Sequence, residues 1–194
     1  MMTSHVMVCA LACLVLCGSV SADDCAKKTT VRKLKEPTDM GGILYKRYAY
    51  FFDTGESKGG ILAREDTVSG HVIPEGTIVY LDREGWMHMC MMSKDTELQG
   101  HLCRGHGHGW QTTFHKNGQL KTIWLAREEV VQGVPCVKAH FLREGFIGPS
   151  VISFHENGVL KSARLAKDIT IQGHDFEKND RVQFDSEGKL VLEE

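Results

Sequence analysis

The sequence predicts an all-β fold, an antiparallel meander of stacked β-hairpin repeats shaped as an elongated twisted sheet or a flattened two-layer roll. Three observations carry this. Five glycines, Gly55, Gly85, Gly118, Gly158 and Gly188, anchor an internal repeat. Apolar residues recur at a spacing of two around each anchor, which is the side-chain period of a strand. Turn chemistry such as Lys-Asn-Gly and Glu-Asn-Gly lies between the apolar runs, and Asn-Gly between extended runs is a hairpin signal.

The chain opens on "MMTSHVMVCALACLVLCGSVSA", residues 1–22, an apolar run followed by small residues with Val20 and Ala22 at the −3 and −1 positions of a cleavage site. This reads as a secretory signal peptide without a basic n-region, leaving a mature chain from Asp23. The run is shorter than the ~20 residues of a membrane span, and no later segment approaches one. Cys13, Cys17 and Cys25 lack the context of an acylated cysteine, so the reading is export without a lipid anchor. Residues 23–42, "DDCAKKTTVRKLKEPTDMGG", are polar and aperiodic and read as a flexible lead-in. Residues 43–194 read as one β-repeat domain, whose first strand is "ILYKRYAYFF" (43–52).

Four units of 22 residues align without gaps at 49–70, 79–100, 112–133 and 152–173, and a fifth, 182–194, stops early. Four residues before the anchor stand Phe51, Leu81, Phe114, Phe154 and Phe184. Two before those stand Ala49, Val79, Thr112, Ile152 and Val182, on the same strand face. After the turn, Gly60, Cys90, Ile123 and Ala163 share a face with Leu62, Met92, Leu125 and Leu165. A basic-acidic pair then marks a solvated turn (Arg64-Glu65, Lys94-Asp95, Arg127-Glu128, Lys167-Asp168). Val68, Leu98, Val131 and Ile171 make a last apolar column before the closing glycines Gly70, Gly100, Gly133 and Gly173. Each unit thus supplies two or three short strands, roughly 12 to 16 in all, and buries its apolar face only by stacking on its neighbours.

"FHKNGQLK" (114–121) and "FHENGVLK" (154–161) resemble the F/Y-x-x-N-G-x-L-K signature of MORN-variant repeats, found in some exported bacterial and antitoxin-like proteins. The likeness covers about half of each unit; the second half carries Leu-Ala-Arg/Lys-Asp/Glu and Gln-Gly where that family has another Asn-Gly-x-x-x-Gly turn. The resemblance implies stacked hairpins with a binding or scaffolding role. It transfers no catalytic residue.

The links between units hold the candidate sites. "HLCRGHGHGWQTTFH" (101–115) gathers four histidines and a cysteine. His101, Cys103 and His115 fall on repeat columns, since His71 and His174 also follow a closing glycine and His155 also enters a hairpin. His106 and His108 belong to an insertion, and with Cys103 they form a candidate metal set for zinc or iron. Gly100, His106 and His108 also match the start of a cupin motif, but its Glu and its second motif are missing. Met87, Met89, Cys90, Met91 and Met92 carry Cu(I)-type donors, yet Cys90 and Met92 occupy core columns. Cys103 and Cys136 hold equivalent columns in consecutive units and form a candidate disulfide. The longest link, 134–151, adds Phe141, Phe146 and Ile147 as a candidate partner-binding loop.

A net charge of −2 with no basic block points away from nucleic acid. No Gly-x-Ser-x-Gly, His-Glu-x-x-His or Walker pattern occurs. The leading expectation is an exported, non-enzymatic repeat protein that binds a protein, glycan or envelope partner and needs no cofactor. The alternative is a metal-binding protein or metal-dependent enzyme centred on His106 and His108.

Overall fold

The computed structural model describes residues 29–107, 109–140 and 149–192. Among these the chain forms nineteen strands and no helix. β1 (Thr30–Lys33), β2 (Thr38–Met40), β3 (Ile43–Phe51), β4 (Ser57–Leu62), β5 (Asp66–Val68) and β6 (His71–Ile73) come first. β7 (Ile78–Leu81), β8 (Met87–Met91), β9 (Thr96–Leu98) and β10 (His101–Cys103) make the second unit. β11 (Gln111–Phe114), β12 (Leu120–Ile123), β13 (Glu129–Val131) and β14 (Val134–Cys136) make the third. β15 (Ile152–Phe154), β16 (Leu160–Arg164), β17 (Ile169–Ile171) and β18 (His174–Phe176) make the fourth, and β19 (Arg181–Gln183) begins the fifth.

Eleven strands build one antiparallel sheet in the order β1-β3-β4-β7-β8-β11-β12-β15-β16-β19, with β2 beside β3. The pairs β5-β6, β9-β10, β13-β14 and β17-β18 are separate two-stranded hairpins. The sheet is an open meander, as the repeat predicts, and does not close into a barrel. Each full unit supplies four strands rather than two or three. The reason is the closing Gly: it is the second residue of a two-residue hairpin turn, not the end of a unit. Val68 pairs with His71, Leu98 with His101, Val131 with Val134 and Ile171 with His174. Both turn residues are left-handed, for example Gln132 at φ 49° and Gly133 at φ 86°, the signature of a turn whose twist matches its flanking strands.

The described part of the lead-in, residues 29–42, departs from the expectation of a flexible segment. Thr30–Lys33 pairs along β3, with Thr30 opposite Phe51 and Lys33 opposite Tyr48. Thr38–Met40 folds back on β3 through Gly41 and Gly42, at φ 69° and 88°. Backbone pairing needs no apolar pattern, so polar composition concealed both strands. The four residues of β1 are exposed, and its Arg32 and Lys33 put charge on a sheet edge that an apolar strand would leave open to aggregation.

One face of the main sheet is the core. The columns Phe51, Leu81, Phe114, Phe154, Phe184 and Leu62, Met92, Leu125, Leu165 are buried throughout. The small hairpins add Val68, Ile73, Leu98, Cys103, Val131 and Cys136 to the same cluster. They therefore form a second layer over that face. The layers are also joined through backbone: Cys103 bridges to Leu125 and Cys136 to Leu165, each in the following unit.

Candidate functional site

The inserted links converge. From the first, Arg104 donates from its backbone N–H to Trp124 O (2.7 Å). Its guanidinium donates to Ala139 O in the second link (3.1 Å). The same guanidinium lies over the Trp110 ring, 5.3 Å from its centroid, and Trp110 meets Trp124 edge-on at 5.0 Å. Arg104, Trp110 and Trp124 are half-buried. Three side chains from a loop, a strand entry and a strand exit thus form one surface cluster that ties both insertions to the sheet. Phe141, Phe146 and Ile147, the expected partner-binding residues, lie outside the described residues, as does His108.

Gly105 holds the start of the histidine loop. Its N–H donates to Asp95 Oδ1 at 2.8 Å, and a Cβ there would sit 2.1 Å from the Lys94 carbonyl carbon. This glycine serves close backbone approach rather than looseness. His106, next along, is exposed with φ 61°. Cys103 points the opposite way, fully buried in the core. Cys103 is therefore separated from exposed His106 by its place in the second layer, and His108, the third member of the expected set, lies outside the described residues. Among the described residues no group of three or more His, Cys, Asp or Glu is placed to hold a metal.

His115 and His155 are struts of the repeat. The His115 Nε2 lies 3.0 Å from Phe154 O and the His155 Nε2 2.8 Å from Phe184 O, each reaching one unit forward. Asp185 takes the same position in the fifth unit. Its Oδ1 instead accepts from Glu187 N and Lys189 N within its own turn, and the Lys189 N–H holds the carboxyl below its usual range. His101 faces Glu129, Nδ1 to Oε2 3.4 Å, and Glu129 also accepts from Leu102 N and Arg127 Nε. That carboxylate is committed to bracing the turn. The basic-acidic pairs are exposed turn residues, as expected, and Asp95 and Asp168 accept backbone N–H groups from Gly105 and Lys178.

Cys90, Cys103 and Cys136 are free buried thiols. The candidate Cys103–Cys136 bridge is not formed. Each sulfur instead donates to a carbonyl two residues back, His101 O or Val134 O, and each strand faces the leucine of the next unit rather than the other cysteine. Burial pushes the Cys103 and Cys136 thiols up to about 12, and Cys90 upward as well. Thiolate is the reactive form, so these three should stay unlabelled by iodoacetamide at pH 8 in the native chain and react once denatured. Peptide mass spectrometry reads this directly; native labelling at any of the three would contradict the packing. In the methionine run, Met87, Cys90 and Met92 are buried in the core while Met89 and Met91 are half-exposed; strand alternation over 89–92 and the register shift between Met87 and Met89 split the sulfur donors between two faces.

No family model matches the chain, and neither the curated proteins nor the solved structures hold a match.

Proposed function

We infer that the chain is an exported, non-enzymatic recognition module whose contact surface is the junction of its two long links. One observation carries this: the two insertions that break the repeat meet at a Trp–Trp–Arg cluster. Insertions in repeat proteins gather on the binding face, and Trp and Arg dominate interface hot spots. The partner is a protein rather than a glycan. Trp110 already carries Arg104 on its face and Trp124 against it, which reduces the open ring surface a sugar would stack on.

The test uses the purified chain as bait for the extracellular and envelope fractions. A specific partner should be retained by the wild type and by Lys116→Ala, at an exposed hairpin turn, and weakened at least about tenfold by Trp110→Ala and by Arg104→Ala. Equal retention by all four chains, with matching melting temperatures, would overturn the assignment.

A further inference from the structure

The repeat contains its own template for a binding site. The residue after each of the first two closing glycines lies over the core phenylalanine two units ahead. His71 stacks on Phe114, ring centroids 4.8 Å apart at 26°, and its Nε2 lies 3.1 Å from Gly118 O. His101 covers Phe154, centroids 5.5 Å apart at 30°. At the third unit the position is Val134, and the phenylalanine ahead is Phe184. There a groove of about 300 Å³ opens, lined by Val134, Leu160, Ile169, Ile171, Gln172 and Phe184 among others.

The geometry of the groove follows from the missing ring. An isopropyl group cannot extend over Phe184 as an imidazole extends over Phe114 and Phe154. It also has no N–H. Gly118 O is approached by two donors, Gln99 Nε2 at 2.8 Å and the His71 ring. The equivalent Gly188 O accepts from Gln172 Nε2 at 2.9 Å, and Val134 supplies no counterpart to the second donor. A second substitution accompanies the first. Glu129, which faces His101, is replaced one unit on by Ile169. The groove is therefore lined without a charged side chain. Its volume is at the lower end for small-molecule sites, and its walls combine Val134, Leu160, Ile169, Ile171 and Phe184 with the uncharged polar side chains of Gln132, Thr170 and Gln172.

We propose that this groove binds a small, neutral, planar nitrogen heteroaromatic molecule, whose ring lies against Phe184 and whose N–H donates to Gly188 O. Planarity is set by the slot that imidazole rings fill in the two preceding units. Neutrality is set by Ile169, which offers a cation no carboxylate and leaves its desolvation uncompensated. Val134 opens the second long link, but the groove's lining includes none of Arg104, Trp110, Trp124 and Ala139, so the site is tested independently of the recognition surface.

The probe is benzimidazole at pH 8, followed by methyl-resolved NMR of the purified chain. Saturable shifts are expected at Val134, Leu160, Ile169 and Ile171, with a dissociation constant of about 1 mM or below. Val134→His should supply the missing ring from within and weaken binding at least about tenfold, with an unchanged or higher melting temperature as evidence of folding. Phe184→Leu keeps an apolar side chain at the floor but removes its aromatic ring and should weaken binding, while cyclohexanol, a saturated ring, should bind neither chain. The proposal is overturned by the absence of saturable shifts in the wild type, by undiminished binding to folded Val134→His, or by cyclohexanol binding as well as benzimidazole.

Discussion

Gly59→Ala is expected to cost about 3–5 kcal/mol, lowering the melting temperature by about 10 °C. Gly59 lies in the second position of a row that runs across the open face of the main sheet: Tyr50 pairs with Gly59, and Gly59 with Tyr80. The two tyrosines are therefore two strand spacings apart at their backbones, about 9.5 Å. Their rings nonetheless stack at 5.0 Å and 25°. They lean together over a strand residue that has no side chain. A Cβ at Gly59 would lie 2.0 Å from Val79 O and 2.9 Å from its carbonyl carbon. Backbone cannot swing away as a side-chain tip can, so β4 or β7 must shift. The left-handed φ of 131° adds strain for any L side chain. Gly55→Ala separates the two causes. Gly55 also has a positive φ, 92°, but nothing lies within 4 Å of its Cβ position. It should cost only about 1 kcal/mol. Thermal melts of both variants, with near-ultraviolet dichroism for the tyrosine pair, check the prediction; equal losses would show that conformation alone sets the cost.

The contrast between these two glycines marks how far the sequence was legible. Columns read from spacing alone became the core: Phe51, Leu81, Phe114, Phe154 and Phe184 are buried, as are Leu62, Met92, Leu125 and Leu165. A period of two with anchored turns carries that information locally, because each unit repeats it. Gly59 and Gly105 are each required by a contact with another segment, Val79 and Lys94. Nothing in the surrounding residues announces such an approach. Strands β1 and β2 were hidden for a related reason, since they pair through backbone and only Val31 and Met40 of their side chains are apolar.

The candidate site was legible in outline only. Repeat position correctly removed Cys103 from the exposed loop, since its column is apolar and it is buried. The two long links were visible as insertions. That Arg104 joins them by donating to Ala139 O was not, because the partners stand 35 positions apart and one is a main-chain carbonyl. The groove at Phe184 had a sequence signal after all. Its trace is Val134 standing where His71, His101 and His174 stand in the other units. A break in a histidine column says that something differs there, but only the stacked rings on Phe114 and Phe154 say what has been lost.

The Gln-Gly closing turns carry the second large effect. Gln99, Gln132 and Gln172 adopt φ of 49–50°, a conformation for which Asn or Gly is the better turn residue. Their side chains explain the choice. Each amide spans to the next unit's anchor turn, donating to Gly118 O, Gly158 O or Gly188 O at 2.8–2.9 Å. Each amide oxygen accepts in return from Leu120 N, Leu160 N or Leu190 N at 2.9–3.1 Å. In the first unit Ser69 keeps only the accepting half, from Met87 N at 2.8 Å. A net hydrogen bond contributes about 0.5–1.5 kcal/mol, so each two-bond staple should contribute about 1–3 kcal/mol. The combined variant Gln99→Asn, Gln132→Asn, Gln172→Asn should therefore lose about 3–9 kcal/mol if the sites act independently, less the gain in turn preference. Asn is chosen because it favours the left-handed turn more than Gln and is one methylene too short to span the units. Any stability it loses must come from the staples, against the gain in turn preference. Hydrogen exchange adds a site-specific measure: amide protection at Leu120, Leu160 and Leu190 should fall more than at core strand amides such as Ile123. A triple variant as stable as the wild type, with those three amides still protected, would show that stacking of the apolar columns alone holds the units in register.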